Sequence, residues 1–192
     1  MSAPLADALS DALAARARVV LSPEGKWPAA VLVPLLDVAG EPHLLYTRRS
    51  SQLPRHRGEV SFPGGRYHPD EDPDLQTTAL REAHEEIGIA PADVRLLGVL
   101  DDIETSASRF VITPFVGLVP HPYDWRPAAE EVDVIFTVPL RVLQAPETAR
   151  QELWDFGGAR VPIDTFPVDG HVIWGATQRI TRNLLNVLAA LR

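Results

Sequence analysis

Four side chains within six residues, Arg81, Glu82, Glu85 and Glu86, are the part of this chain most able to do chemistry. On a helix each residue advances about 100°, so the three glutamates share one face, beside an apolar stripe of Ala79, Leu80, Ala83 and Ile87. Like charges three and four residues apart repel one another, and the C-terminal end of a helix disfavours negative charge. Two readings follow from these residues alone. One is a solvated acidic face in which Arg81 pairs with Glu85; the other is a site for Mg²⁺ or Mn²⁺, hard cations that accept carboxylate oxygens and water. Only the second offsets both penalties.

A second group of candidates lies upstream, where Arg48, Arg49, Arg55 and Arg57 fall within ten residues of a chain whose net charge is −8. Exposed arginines can serve solubility alone. A guanidinium also grips phosphate with two parallel hydrogen bonds, and this segment runs directly into Gly64-Gly65 and the acidic stretch. The acidic balance argues against a nucleic-acid surface, which needs a broad basic footprint. An anionic substrate must therefore be drawn in by local charge, and the expected partner is a small phosphate-rich molecule.

The elements that must position these groups can be read from patterning. Leu75 to Ile87 reads as a helix, with Asp74 as N-cap and Gly88 just past its end. Ala29 to Val38 and Leu44 to Arg48 read as a hairpin around Ala39-Gly40-Glu41-Pro42, and Val60 and Phe62, alternating with Ser61, read as a short strand before the Pro-Gly-Gly turn. Val94 to Leu100, Phe110 to Val119 and Val132 to Val138 are further strands; helices open the chain at about 4–17 and close it through Ile180, Leu184 and Leu188. Strands interrupted by helices without strict alternation predict an α/β (α+β) fold with a mixed sheet between helical layers. A chain of 192 residues, 45% of them apolar, predicts one domain over 1–192. The absence of cysteine excludes disulfides and thiol mechanisms. No stretch has the apolar length of a membrane span, residues 1–20 lack the core of a signal peptide, and Ala190-Leu191-Arg192 is not a peroxisomal address, so a cytoplasmic location is expected. Oligomeric state is not legible.

Taken together, Gly64-Gly65, Glu71 and Arg81-Glu82-Ala83-His84-Glu85-Glu86-Ile87-Gly88-Ile89 resemble the Nudix box, G-x5-E-x7-R-E-U-x-E-E-x-G-U, over about residues 64–89. The second half matches throughout, with Ala83 the smallest aliphatic residue at its position. The resemblance implies a Nudix-like α/β/α sandwich, and a divalent cation held by Glu82, Glu85 and Glu86 with the backbone carbonyl of Gly64. One departure stands out: nine residues rather than seven separate Glu71 from Arg81. The first acid of the box mainly braces the loop and pairs with the arginine, so Asp72 and Asp74 are alternatives to Glu71.

The stretch from Leu44 to Gly65 is similar to the segment preceding the box in coenzyme A pyrophosphatases, at Arg49, Ser50, Leu53, His56, Gly58, Val60, Phe62 and Pro63. Thr113-Pro114-Phe115-Val116-Gly117 and Ile173-Trp174-Gly175-Ala176-Thr177 also look like segments of that subfamily. The likeness implies hydrolysis of coenzyme A and its derivatives to 3′,5′-ADP and 4′-phosphopantetheine or the acyl form. Arg48, Arg49, Ser50, Arg55, His56, Arg57 and Gly65 are then expected at the substrate and Trp174 in the core. A general base is still needed; Glu131 is the expected one, with Glu104 a weaker candidate and Glu85 or Glu86 open. Rival readings are another nucleoside diphosphate derivative, such as ADP-ribose, and a non-catalytic nucleotide-binding module.

Overall fold

The computed structural model describes residues 3–53, 56–105 and 108–191, so Arg55 lies outside the described residues. In chain order the elements are α1 (Ala3–Ala15), β1 (Trp27–Val38), β2 (Glu41–Arg49), β3 (Val60–Ser61), β4 (Gly64–Arg66) and α2 (Leu75–Ile87). There follow β5 (Arg95–Val99), β6 (Ile103–Glu104), β7 (Phe110–Val119), β8 (Val132–Pro139), α3 (Leu140–Gln144), β9 (Arg150–Phe156), β10 (Ala159–Val168), β11 (His171–Trp174) and α4 (Gly175–Ala189). Among the described residues no helix is long and apolar enough to cross a membrane.

The main sheet runs β3-β2-β1-β7-β5, with β4 on β1, β6 on β7 and β8 on β2. Among the described residues only β1 and β7 pair in parallel, which makes the sheet mixed as expected. Strand β1 is almost continuously apolar because both its faces are covered. Val33 and Leu35 point to a core shared with α1 and α4, through Leu9, Leu13, Ile180 and Leu184. Leu32 and Leu36 point the other way, to Ala83 and Ile87 of α2. Helices on both faces of a mixed sheet make the α/β/α sandwich that the resemblance implies. Ala79 and Ala83 are fully buried, and their small side chains let α2 lie close to the sheet.

The hairpin, α2 and the closing helix fall where patterning places them. Asp74 caps α2 by accepting from the Thr77 N–H (2.7 Å), and Gly88, in the left-handed region, closes it with its N–H on the His84 carbonyl (2.9 Å). The sequence reading has no counterpart for α3 or for the three-stranded sheet β11-β10-β9. That sheet is mostly exposed along β9 and the first half of β10, so it lacks the buried alternation that announces a strand. Helix α4 is fixed over the main sheet by buried hydroxyls. Tyr46 meets Thr181 (3.0 Å) and Thr177 donates to the Val60 carbonyl (3.0 Å).

Candidate active site

Gly64 and Gly65, expected in a turn, instead lie in β4 because they pair with Val31 and Ala30 of β1; between α2, β4 and the start of α4 lies a cavity of about 590 Å³. Glu82 and Glu86 form its acidic side, with Glu131 and Glu104 also in its wall. Glu86 is only 3% exposed and accepts a hydrogen bond from the Gly64 N–H of β4. Burial pushes its carboxyl up to about 8, with the nearby charges of Glu82 and Glu131 acting in the same direction; Arg49 and the Gly64 N–H oppose them. Burial also raises Glu82. Gly65 leaves room for Glu82: a Cβ at this position would stand 2.4–2.5 Å from its carboxylate, which would have to move aside.

The glutamates of the box do not all face the cavity. Glu85 is 55% exposed and pairs with Arg81 Nη1 (3.0 Å), the contact foreseen by the solvated reading. Among the described residues no three acids or histidines are drawn together as a ready-made metal cage. Arg81 is the hub of this end. It makes a two-pronged ion pair to Asp72 (2.9 and 3.0 Å) and reaches Glu82 (2.9 Å) as well as Glu85.

The position of doubt in the box is settled by burial. Asp72 is 1% exposed, and hydrogen bonds from Arg81, with help from Thr78 and the His68 N–H, hold its carboxyl down at about 2 despite burial. Glu71 is exposed, and Asp74 is occupied as the helix cap. The acid that braces the loop against Arg81 is therefore Asp72, one residue beyond the position the box spacing selects.

The arginines expected at the substrate separate. Arg49 lines the cavity 4.0 Å from Glu86, and its Nε is buried without a hydrogen-bond partner. Arg48 and Arg57 line an adjoining cavity of about 640 Å³ that shares Glu59, Val60 and Trp174 with the first; there Arg48 lies 4.0 Å from Asp133. Ser50 is buried, and its N–H donates to the Glu131 carbonyl (2.8 Å), tying the arginine loop to the candidate base. His56 is at the cavity wall and pairs with Glu59 (3.0 Å). Glu104 is held by Lys26 (2.8 Å), whereas no ion pair reaches Glu131 among the described residues.

Three cavity residues escaped the sequence reading. Arg66 directly follows Gly65 in β4, and its guanidinium carbon lies over the Trp27 ring, 3.6 Å from its centre. Arg179, on α4, donates to the Glu104 carbonyl (2.8 Å). Neither pairs with a carboxylate among the described residues. The adjacency of Arg66 to Gly65 was a usable signal; Arg179 reaches the site only through the packing of α4. Trp174, expected in the core, instead stands half-buried in the wall between the two cavities.

These residues fit a hard divalent cation. Glu86 is a buried carboxylate whose nearest cation is 4.0 Å away, and a second carboxylate is pressed against a glycine beside it. The remaining cations, Arg49, Arg66 and Arg179, suit the oxygens of a phosphate substrate.

Residues 26–164 match the NUDIX domain. The chain is 42% identical over 164 residues to the human (Homo sapiens) mitochondrial coenzyme A diphosphatase NUDT8, covering 84% of this chain and 69% of that protein. It is 41% identical over 158 residues to the uncharacterized Nudix hydrolase NudL of Yersinia enterocolitica, covering 81% and 78% of the two chains. The crystal structure of a MutT/nudix family protein from Enterococcus faecalis superposes with a TM-score of 0.61 at 13% identity, over 91% of this chain and 65% of that one, a likeness of fold.

Proposed function

This chain belongs to the Nudix family, and we propose that it hydrolyses the diphosphate bond of coenzyme A and its derivatives, releasing 3′,5′-ADP and 4′-phosphopantetheine or its acyl form. The observation that carries the reading is the pairing of buried Glu86 with Glu82 in a cavity whose other walls hold Arg49, Arg66 and Arg179. The 42% identity to a coenzyme A diphosphatase supports the substrate.

In this reading Glu82, Glu86 and the Gly64 carbonyl would hold Mg²⁺ or Mn²⁺, with Glu85, now paired with Arg81 at the surface, as a further ligand. When bound, such a cation offsets the negative charge of the diphosphate oxygens and lowers the pKa of a coordinated water. Arg81 keeps Glu82 in place while Asp72 anchors Arg81. Arg49, whose Nε has no hydrogen-bond partner among the described residues, binds a phosphate oxygen, and Arg66 and Arg179 neutralise further charge in the same cavity. Glu131 takes the proton of the attacking water, a role for which Glu104 is less suited because Lys26 occupies it.

The cytoplasmic location belongs to the same proposal, and fractionation of the source cells tests it. Coenzyme A, ADP-ribose and NADH offered side by side with Mg²⁺ test the substrate. The expected result is 3′,5′-ADP from coenzyme A at the highest kcat/KM. A higher value for ADP-ribose or NADH would replace coenzyme A, and ligand binding without turnover would replace the enzyme with a sensor.

A further inference from the structure

The exposed sheet β9–β11 carries a feature that neither the core nor the acidic site requires. Trp174, at the end of β11, stands in the wall common to both cavities. Trp154, on β9, packs against it with ring centres 5.0 Å apart and planes at 57°. The Trp154 ring is itself held, its Nε1–H donating to Glu152 (2.8 Å). Phe156 continues the run 6.4 Å further out and is 52% exposed. Large aromatic side chains kept half in water, in a row that begins at a cavity wall, are usual where a ligand covers them.

The two cavities on either side of Trp174 have different chemistry. One holds the carboxylates Glu82 and Glu86 with Arg49 beside them; the other holds Arg48, paired with Asp133, and Arg57. On the reading proposed above, the substrate carries a diphosphate on the 5′ oxygen of a ribose and a phosphate monoester on the 3′ oxygen of the same ring. The base on that ribose must then sit close to both phosphate positions. An apolar ring in the wall between a cation-binding cavity and one that offers two arginines meets that requirement, whereas the acyl end of the substrate lies beyond the diphosphate and far from the monoester.

We propose that Trp174 is the platform on which the adenine ring of the substrate stacks, and that Trp154 is a positioning residue that holds Trp174 at its angle. The three-stranded sheet thereby has a function: it carries the nucleotide side of the site, as α2 carries the metal side. A base stacked on an aromatic ring contributes through its π-face, so the platform binds without forming hydrogen bonds of its own.

The test combines kinetics with the intrinsic fluorescence of the four tryptophans, Trp27, Trp125, Trp154 and Trp174. In the wild type, 3′,5′-ADP quenches part of the emission. Trp174→Phe removes most of that quench and keeps measurable binding, because a phenyl ring still stacks. Trp174→Ala raises KM for coenzyme A about tenfold or more while kcat changes by less than about threefold. Trp154→Ala raises KM by about threefold, and adds nothing when Trp174 is already alanine, the coupling expected of a residue that acts through another. Retention of the full quench in Trp174→Phe, with its loss in Trp27→Phe, would overturn the proposal by placing the base over Arg66 and Trp27. An unchanged KM for coenzyme A in Trp174→Ala, with altered dependence on acyl-chain length, would overturn it in favour of the acyl end. Both results leave coenzyme A hydrolysis intact. Absence of wild-type turnover of coenzyme A would instead remove the function on which the proposal rests, and the proposal with it.

Discussion

The two sides of the cavity are built on opposite plans. The α2 side is compact in sequence and mostly buried: Gly65, Asp72, Arg81, Glu82 and Glu86 lie within about two dozen residues and hold one another in place. The side formed by β9–β11 and the start of α4 comes from residues 150–180, far along the chain, and its strands are mostly exposed. The first side concentrates charge that is unfavourable unless something binds it. The second presents aromatic surface that is unfavourable unless something covers it. Catalysis needs fixed charge, which burial provides, while recognition of a substrate's outer parts tolerates a looser edge.

That contrast can be broken most strongly at Glu86. Replacing it with glutamine is expected to lower kcat by on the order of 10²–10³, without loss of thermal stability, since a buried carboxyl is exchanged for a neutral amide of the same shape. Melting curves beside turnover assays check both parts. Next in size is the ion pair at the foot of the helix. Asp72→Ala leaves Arg81 without its main partner and is expected to cost about 3 kcal/mol of stability. Glu71→Ala, one residue earlier and exposed, should stay within about 0.5 kcal/mol, and denaturant unfolding of the two variants distinguishes the braces directly.

A smaller effect sharpens the electrostatic half of the comparison. Glu86 has an ordinary value of 4.5 and is held at about 8 in the metal-free fold. The folded chain therefore binds this proton more tightly than the unfolded one does. Its contribution to stability is fully present below pH 4.5 and is lost as pH rises through about 8. Melting temperature in EDTA should fall across that window in the wild type, and more shallowly in Glu86→Gln. Cation binding must displace the same proton, so apparent Mg²⁺ affinity should rise with pH up to about 8 and then level off. The smallest effect is expected at the outer sheet: Leu153→Ser, at a side chain 67% exposed, should change stability by less than about 0.5 kcal/mol.

The same contrast explains what the sequence revealed. Helix α2 was legible because its apolar stripe, N-cap and C-cap glycine are all local, and the β1–β2 hairpin because a long apolar run meets a Gly turn. The burial of Glu86 was not legible: helical spacing places it beside the apolar stripe, and its contact with the Gly64 N–H of β4 is a tertiary one. Box spacing pointed to Glu71, yet the longer loop swings Asp72 inward instead, a choice that depends on where Thr78 and Arg81 stand. Strands β9 and β10 escaped because Arg150-Gln151-Glu152-Leu153-Trp154-Asp155-Phe156 mixes charged and aromatic residues with no buried face. Arg179 and Trp174 belong to the cavity through tertiary packing alone, so no local pattern could have placed them there.

On the reading proposed above, buried Glu86 and half-buried Glu82 hold a divalent cation that makes coenzyme A hydrolysis possible. This claim is tested most directly by incubating coenzyme A with wild-type protein and with Glu86→Gln, each with Mg²⁺ and with EDTA, and quantifying 3′,5′-ADP and 4′-phosphopantetheine. The account predicts both products in equal amounts from the wild type with Mg²⁺, and almost none from the wild type in EDTA or from the folded variant in either condition. Wild-type turnover that survives EDTA, or a variant that works at the wild-type rate, would contradict it.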